Sequence, residues 1–237
     1  TTPYNLSERN NKMAKTTFLQ IPVAVNSGIA STYSERDDKT CRWDPSHYFD
    51  WRVSTLADRA GDMLTALGSA ISESALNGIK TMKSTLTANG GVTSENIFPS
   101  NATKGFAYAF IFKRDNLNQA TFLIAGPHLR LQAQTDNKLY YYKTGASTQQ
   151  GGVSLSSGID LVIVNYDPVT DTETVYVNDG TMTVTGASAI TYQNAPLTLA
   201  ATAANNVNYG EILIFDAVKS ASDIAAIKAY YRAQYGN

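Results

Sequence analysis

Charge, cysteine and histidine are all scarce in this chain of 237 residues. The single cysteine, Cys41, rules out an internal disulfide framework, and with only His47 and His128 beside it no zinc ligand set can be completed. Charged residues make up 16% of the chain, below the roughly one quarter usual for globular domains. The 19 Lys and Arg are scattered and balanced by 20 Asp and Glu, for a net charge of −1. Without a basic stripe to neutralise phosphates, nucleic acid is excluded as a partner. Long apolar runs are missing as well. The longest, Ala109–Phe112 and Leu161–Val164, are far too short to cross a bilayer, and the polar first fifteen residues contain no signal-peptide core. These absences predict a soluble chain that inserts in no membrane and assembles in a reducing cytoplasm.

What is present is a hydroxyl- and tyrosine-rich sequence with strand periodicity. Residues 1–42 are mostly polar and aperiodic, with one short apolar piece, Phe18–Val25; they read as an N-terminal arm outside the core that attaches the chain to something else. Residues 43–237 read as one all-β domain. Phe106–Arg114 alternates aromatics with small residues, His128–Gln134 alternates polar and apolar, and Lys138–Lys143 carries three consecutive tyrosines. Ile159–Tyr166 has the density of a buried central strand, with Thr172–Asn178 as its hairpin partner across the turn-forming Asp167–Asp171. Asn178-Asp-Gly180 leads into Thr181–Thr185, and Pro196–Ala200 and Tyr209–Asp216 complete the strands. Ser220 as N-cap with Asp223 three residues on predicts a helix whose apolar face holds Ile224, Ile227 and Tyr231, stopped by Gly236. Glu73–Gly78 is a further helical candidate. Short strands at this spacing predict an antiparallel sandwich.

The order of several segments resembles the concanavalin A-like, or laminin G-like, jelly-roll superfamily, above all the versions found in bacteriophage virion and tail proteins. These are Trp51 with Leu56–Gly61, the Asn77-Gly78 turn, Thr174–Asn178, and the tail Gly210–Asp216 followed by Ser220–Gly236. The resemblance implies a jelly roll of two curved sheets with a closing helix, and leaves the activity open because this fold hosts lectins, glycosidases and structural modules.

Catalysis is not expected. Glycoside hydrolysis needs two facing carboxyl groups, and the six glutamates (Glu8, Glu35, Glu73, Glu95, Glu173 and Glu211) are dispersed, with no E-x-D-x-x-E run. His47, in a loop after a proline, and His128, on the polar face of a strand, read as solvated or locally hydrogen-bonded imidazoles. No cofactor is required. Calcium is the one ion with weak candidates, Asp167, Asp171 and Glu173 at one hairpin and Asp58 with Asp62, although a solvated turn and a capping interaction explain them better.

Aromatic residues supply the binding candidates. Trp43, Tyr48, Phe49 and Trp51 either staple the start of the domain to its core or anchor an interface, for which Phe18, Ile21, Val23, Trp43 and Trp51 are the candidates. Tyr140 and Tyr142 must share one strand face, and with Asp136 and Asn137 beside them would suit a sugar, whose apolar face stacks while its hydroxyls bond. The expectation is a non-enzymatic virion structural protein, a capsid or tail component displayed on the particle surface, with virion proteins and sister subunits in a homo-oligomer as partners. The alternative is a carbohydrate-binding module for host-surface glycans.

Overall fold

The computed structural model describes residues 45–51, 64–98, 105–118, 120–143, 148–186, 195–199 and 206–236; the N-terminal arm, Trp43, Leu56–Gly61, Asp58 and Asp62 lie outside them. All described residues belong to one unit, Pro45–Asn237. Thirteen strands and one helix follow in order: β1 (His47–Phe49), β2 (Leu64–Leu76), β3 (Ile79–Phe98), β4 (Phe106–Arg114), β5 (Thr121–Ala125), β6 (Leu129–Ala133), β7 (Lys138–Lys143), β8 (Gln150–Ser154), β9 (Asp160–Asp167), β10 (Thr172–Val177), β11 (Gly180–Thr185), β12 (Ala195–Leu199), β13 (Asn206–Phe215) and α1 (Ala221–Tyr235).

These strands form an antiparallel jelly-roll sandwich. One sheet runs β11-β10-β9-β4-β13-β3 and the other β3-β12-β5-β6-β7-β8, with β2 along β3 and β1 along β13. The 20-residue β3 belongs to both: Met82–Thr85 pair with β13, and Val92–Phe98 pair with β12. At the far side β8 approaches β11 so closely that a Cβ on Gly180 would lie 2.6 Å from Val153 Cγ1.

The alternation read from the sequence assigns the faces. Phe106, Tyr108, Phe110 and Phe112 of β4, Val162, Val164 and Tyr166 of β9, and Tyr209, Ile212 and Ile214 of β13 point inward. They meet Leu123, Leu129, Leu131, Leu139, Tyr141, Leu197 and Leu199 of the second sheet in one apolar core. On the outer face, the small Ala107 and Ala109 leave room for α1, which buries Ile224, Ile227, Tyr230, Tyr231 and Tyr235. The helix begins with the expected capping box, in which the Ser220 side chain accepts from Asp223 N while the Asp223 carboxyl accepts from Ser220 N, and ends at Gly236 with φ 68°. Asn165 and Lys219 exchange two hydrogen bonds that fix the approach to the helix.

Three readings are corrected. Glu73–Gly78 is not helical: its first four residues continue β2, and Asn77 and Gly78, at φ 47° and 79°, make a two-residue hairpin turn into β3. His47 lies in β1, opposite Ile214. His128 is not on a solvated strand face. The strand starts only at Leu129, and Gly126 N donates to Leu129 O across a tight turn that carries Pro127 and His128. That turn breaks the alternation and sends the imidazole inward, where it is fully buried.

Candidate functional site

Strand β7 divides its three tyrosines between two environments. Tyr141 points into the core, whereas Tyr140 and Tyr142 are half-buried on the outer face of the second sheet. Each outward ring is held. The Tyr140 hydroxyl donates to Asp136 Oδ2 at 2.6 Å, and that ring lies over Gly152, where a Cβ would stand 3.0 Å from it. The Tyr142 hydroxyl donates to Gln149 Oε1 at 2.9 Å, and the Arg130 guanidinium sits 4.6 Å from its ring centroid. Gln134 Nε2 donates to the same Gln149 oxygen at 2.9 Å. The Tyr140 hydroxyl holds the Asp136 carboxyl below its usual range, so it is ionised at neutral pH. The outcome is a fixed pair of aromatic rings with a guanidinium, a carboxylate and amides around them.

Of the four sugar-binding candidates, the structure brings Asp136, Tyr140 and Tyr142 to this face and gives Asn137 another task. At φ 58°, Asn137 forms the β6–β7 turn with its side chain engaged by protein. Arg114 Nη2 donates to its Oδ1 at 2.6 Å, and its Nδ2 donates to Leu155 O at 2.9 Å and Ser156 O at 3.3 Å. A short polar side chain that tolerates positive φ and crosslinks three segments is a structural device. Arg130 and Gln149 belong to the face but were not singled out in the sequence; the signal for Arg130 was its register opposite Tyr142 in a strand whose apolar residues were already placed.

The remaining candidates disperse. Trp51 is only 1% exposed, stacks on Phe49 with centroids 6.1 Å apart, and donates Nε1–H to Gly210 O. It is a core staple and offers nothing to a partner. Phe18, Ile21, Val23 and Trp43 lie outside the described residues. The suggested calcium ligands do not converge, since Asp167 accepts from Val169 N and Thr170 Oγ1, and Asp171 accepts from the Tyr166 hydroxyl. Glu173 turns the other way, into the core. Among the described residues, no group of three His, Cys, Asp or Glu could hold a metal.

Glu173 and Glu211 are sealed from solvent. Glu173 Oε2 lies 3.3 Å from His128 Nδ1 between the sheets, with the His128 ring 5.4 Å from that of Phe106 and 4.5 Å from that of Tyr166. Burial pushes the Glu173 carboxyl up, and the neighbouring imidazole partly draws it back. Glu211 follows Gly210 in a bulge of β13 and points out beneath α1. It accepts from the hydroxyls of Tyr48 at 2.9 Å, Tyr230 at 2.5 Å and Tyr235 at 3.3 Å. A substrate reaches neither group in the folded state.

No protein-family profile and no curated protein matches this chain. Solved structures do. A botulinum neurotoxin type C structure, from work on its dependence on two ganglioside molecules, matches with a TM-score of 0.60 and 16% identity, over 78% of this chain and 50% of its own. The binding domain of botulinum neurotoxin DC in complex with rat synaptotagmin II matches with a TM-score of 0.61 and 15% identity, over 78% and 51%. The botulinum neurotoxin serotype G binding domain matches with a TM-score of 0.62 and 11% identity, over 82% and 54%. The chain thus spans about half the length of the solved binding domains it matches. At these identities the likeness establishes a shared β-sandwich fold.

Proposed function

We propose that this chain is a non-enzymatic carbohydrate-binding module whose glycan lies on the outer face of β6, β7 and β8, stacked on Tyr140 and Tyr142. The observation that carries the reading is the pair of outward rings two residues apart on one strand, held by Asp136 and Gln149 before any ligand arrives. Preorganised aromatic faces bordered by a carboxylate, an amide and a guanidinium match a sugar ring, with its apolar face and its rim of hydroxyls. The burial of Glu173 and Glu211 supports a binding role over hydrolysis. Structures of the same fold come from proteins described with ganglioside molecules or in complex with synaptotagmin II, which supports a binding role, although only half of each is matched.

The test is a glycan array probed with the full chain and with Tyr140→Ala/Tyr142→Ala. Both rings are half-exposed, so the variant should fold normally. Binding should fall at least about tenfold, the factor that 1.4 kcal/mol represents. An array blank for the wild type, or equal signals from both proteins, would refute the assignment.

A second reading places this module on a bacteriophage virion surface, attached through residues 1–42 and assembled in the host cytoplasm. It is favoured by the tail, where β13, a short connection and α1 follow the pattern that resembles virion jelly rolls. Deleting residues 1–42 should abolish incorporation into particles while leaving the sandwich folded by circular dichroism. Particles that take up the truncated chain normally would defeat it.

A further inference from the structure

A cleft of about 700 Å³ opens at a different place from the tyrosine face, within the size range of small-molecule sites. Five segments form its walls: the β2–β3 turn, the end of β4, the β8–β9 loop, the β10–β11 turn and the last turn of α1. Side-chain hydrogen bonds tie these segments together. Asp160 accepts from Ser156 N and from Asn178 Nδ2, both at 2.7 Å, while Asn178 Oδ1 accepts from Leu161 N at 2.9 Å. Asn77 Nδ2 donates to Tyr235 O and thereby joins the hairpin tip to the helix end. The walls therefore need little ordering when a ligand binds, which is where affinity is usually lost.

The charge of the lining is selective. Lys113 is exposed and has no ion pair among the described residues. Arg232 Nη2 lies 2.5 Å from Asp179 Oδ1, the rest of its fork has no ion pair among the described residues, and Lys228 interacts electrostatically with both. The lining itself thus carries two cations and one carboxylate, with Lys228 beside the Arg232–Asp179 pair, in a chain whose overall charge is −1. The negative end of α1 does not cancel this excess, because Gly236 N bonds Arg232 O and Asn77 caps Tyr235 O. Leu76 and Ile159 add a short apolar strip, and Asn77 keeps its Oδ1 as an acceptor.

We propose that this cleft is a second ligand site, for a saccharide that carries a carboxylate. The acid lies between Lys113 and Arg232, the ring rests against Leu76 and Ile159, and hydroxyls donate to Asn77 and Asp179. A guanidinium fork and an ammonium favour an anion, while acceptors beside an apolar strip favour a sugar ring over a bare acid. This inference does not depend on the tyrosine face, and the two fail separately.

Titration of the isotope-labelled full chain with three sugars that differ only at C6 tests it. Glucuronate should shift the backbone amide signals of Gly158, Asn178 and Asp179, and glucose should not. Lys113→Gln/Arg232→Gln should weaken glucuronate at least about tenfold, whereas Tyr140→Ala/Tyr142→Ala should leave it unchanged. Both cations are on the surface, and the Arg232–Asp179 pair is exposed, so the first variant should fold. Equal shifts with glucose, binding of glucose 6-phosphate but not glucuronate, no shifts at all, or an undiminished response in the Lys113/Arg232 variant would each overturn the proposal.

Discussion

Replacing Glu211 with alanine is expected to lower the melting temperature by about 8–16 °C, the shift that about 4 kcal/mol produces in a domain of this size. Glu211 is 1% exposed and gathers three tyrosine hydroxyls, from Tyr48 in β1 and from Tyr230 and Tyr235 in α1. Truncation removes the carboxylate that accepts from all three, and each buried donor that loses such a bond costs about 1–3 kcal/mol. The loss includes the docking of β1 and of the helix, both of which meet at this one side chain. Tyr231 adds to the same joint, donating to Ala109 O at 3.2 Å and Glu211 O at 3.0 Å, and its bonds survive the substitution because they go to backbone. Tyr230→Phe, which removes a single hydroxyl, should cost about 1.5–3 kcal/mol. Thermal unfolding of both variants checks the ordering; a Glu211→Ala protein as stable as the wild type would mean that the helix is held by its apolar face alone.

The second large effect concerns the pair inside the sandwich. His128→Leu should destabilise the protein by about 1–3 kcal/mol, because it leaves the buried Glu173 carboxyl without the imidazole beside it. The Tyr108 hydroxyl, which packs against Gly126, remains an electrostatic neighbour of Glu173. The double variant His128→Leu/Glu173→Leu should recover most of that loss, because apolar side chains in a dry core remove the desolvation cost along with the interaction. Two single losses that simply add in the double variant would show that the residues do not act as a pair. The pair also carries a pH signature. Burial raises the Glu173 carboxyl above its ordinary value of 4.5, so its contribution is complete below that value and is lost as pH rises through the raised one. The stability of the wild type relative to Glu173→Gln should therefore decline from mildly acidic to neutral pH. Denaturant unfolding at several pH values reads the slope directly, and a rise would contradict the sign.

Local pattern made much of the fold legible. The β4 run Phe106–Arg114, the β7 run Lys138–Lys143 and the capped helix after Ser220 emerged where alternation and capping residues placed them, because each is decided within a few residues of itself. Of the β2–β3 hairpin only the Asn77-Gly78 turn did, through the family resemblance. Its strands are rich in Ser, Thr and Gly with few large apolar residues, so alternation gave no signal, and Glu73–Leu76 consists of residues equally at home in a helix. Long-range pairing with β13 and β12 decides its form. The same limit governed the sites. Tyr140 with Asp136 is a contact of four residues' separation and could be anticipated, whereas His128 with Glu173 and Glu211 with Tyr48 join residues 45 and 163 positions apart. Nothing in the neighbourhood of either glutamate distinguishes it from a solvated strand residue.

Strand β13 comes near the end of the sequence yet lies in the middle of its sheet, bonded to β4 on one side and to β3 and β1 on the other. While the polypeptide is being made, β3 and β4 must wait without the neighbour that joins them, their apolar faces uncovered. A nascent chain halted before residue 206 holds most of the interior residues but cannot bring them together. Closure of the sandwich thus waits until residues 206–215 are in place, and no earlier stretch of the chain offers a native half to build upon.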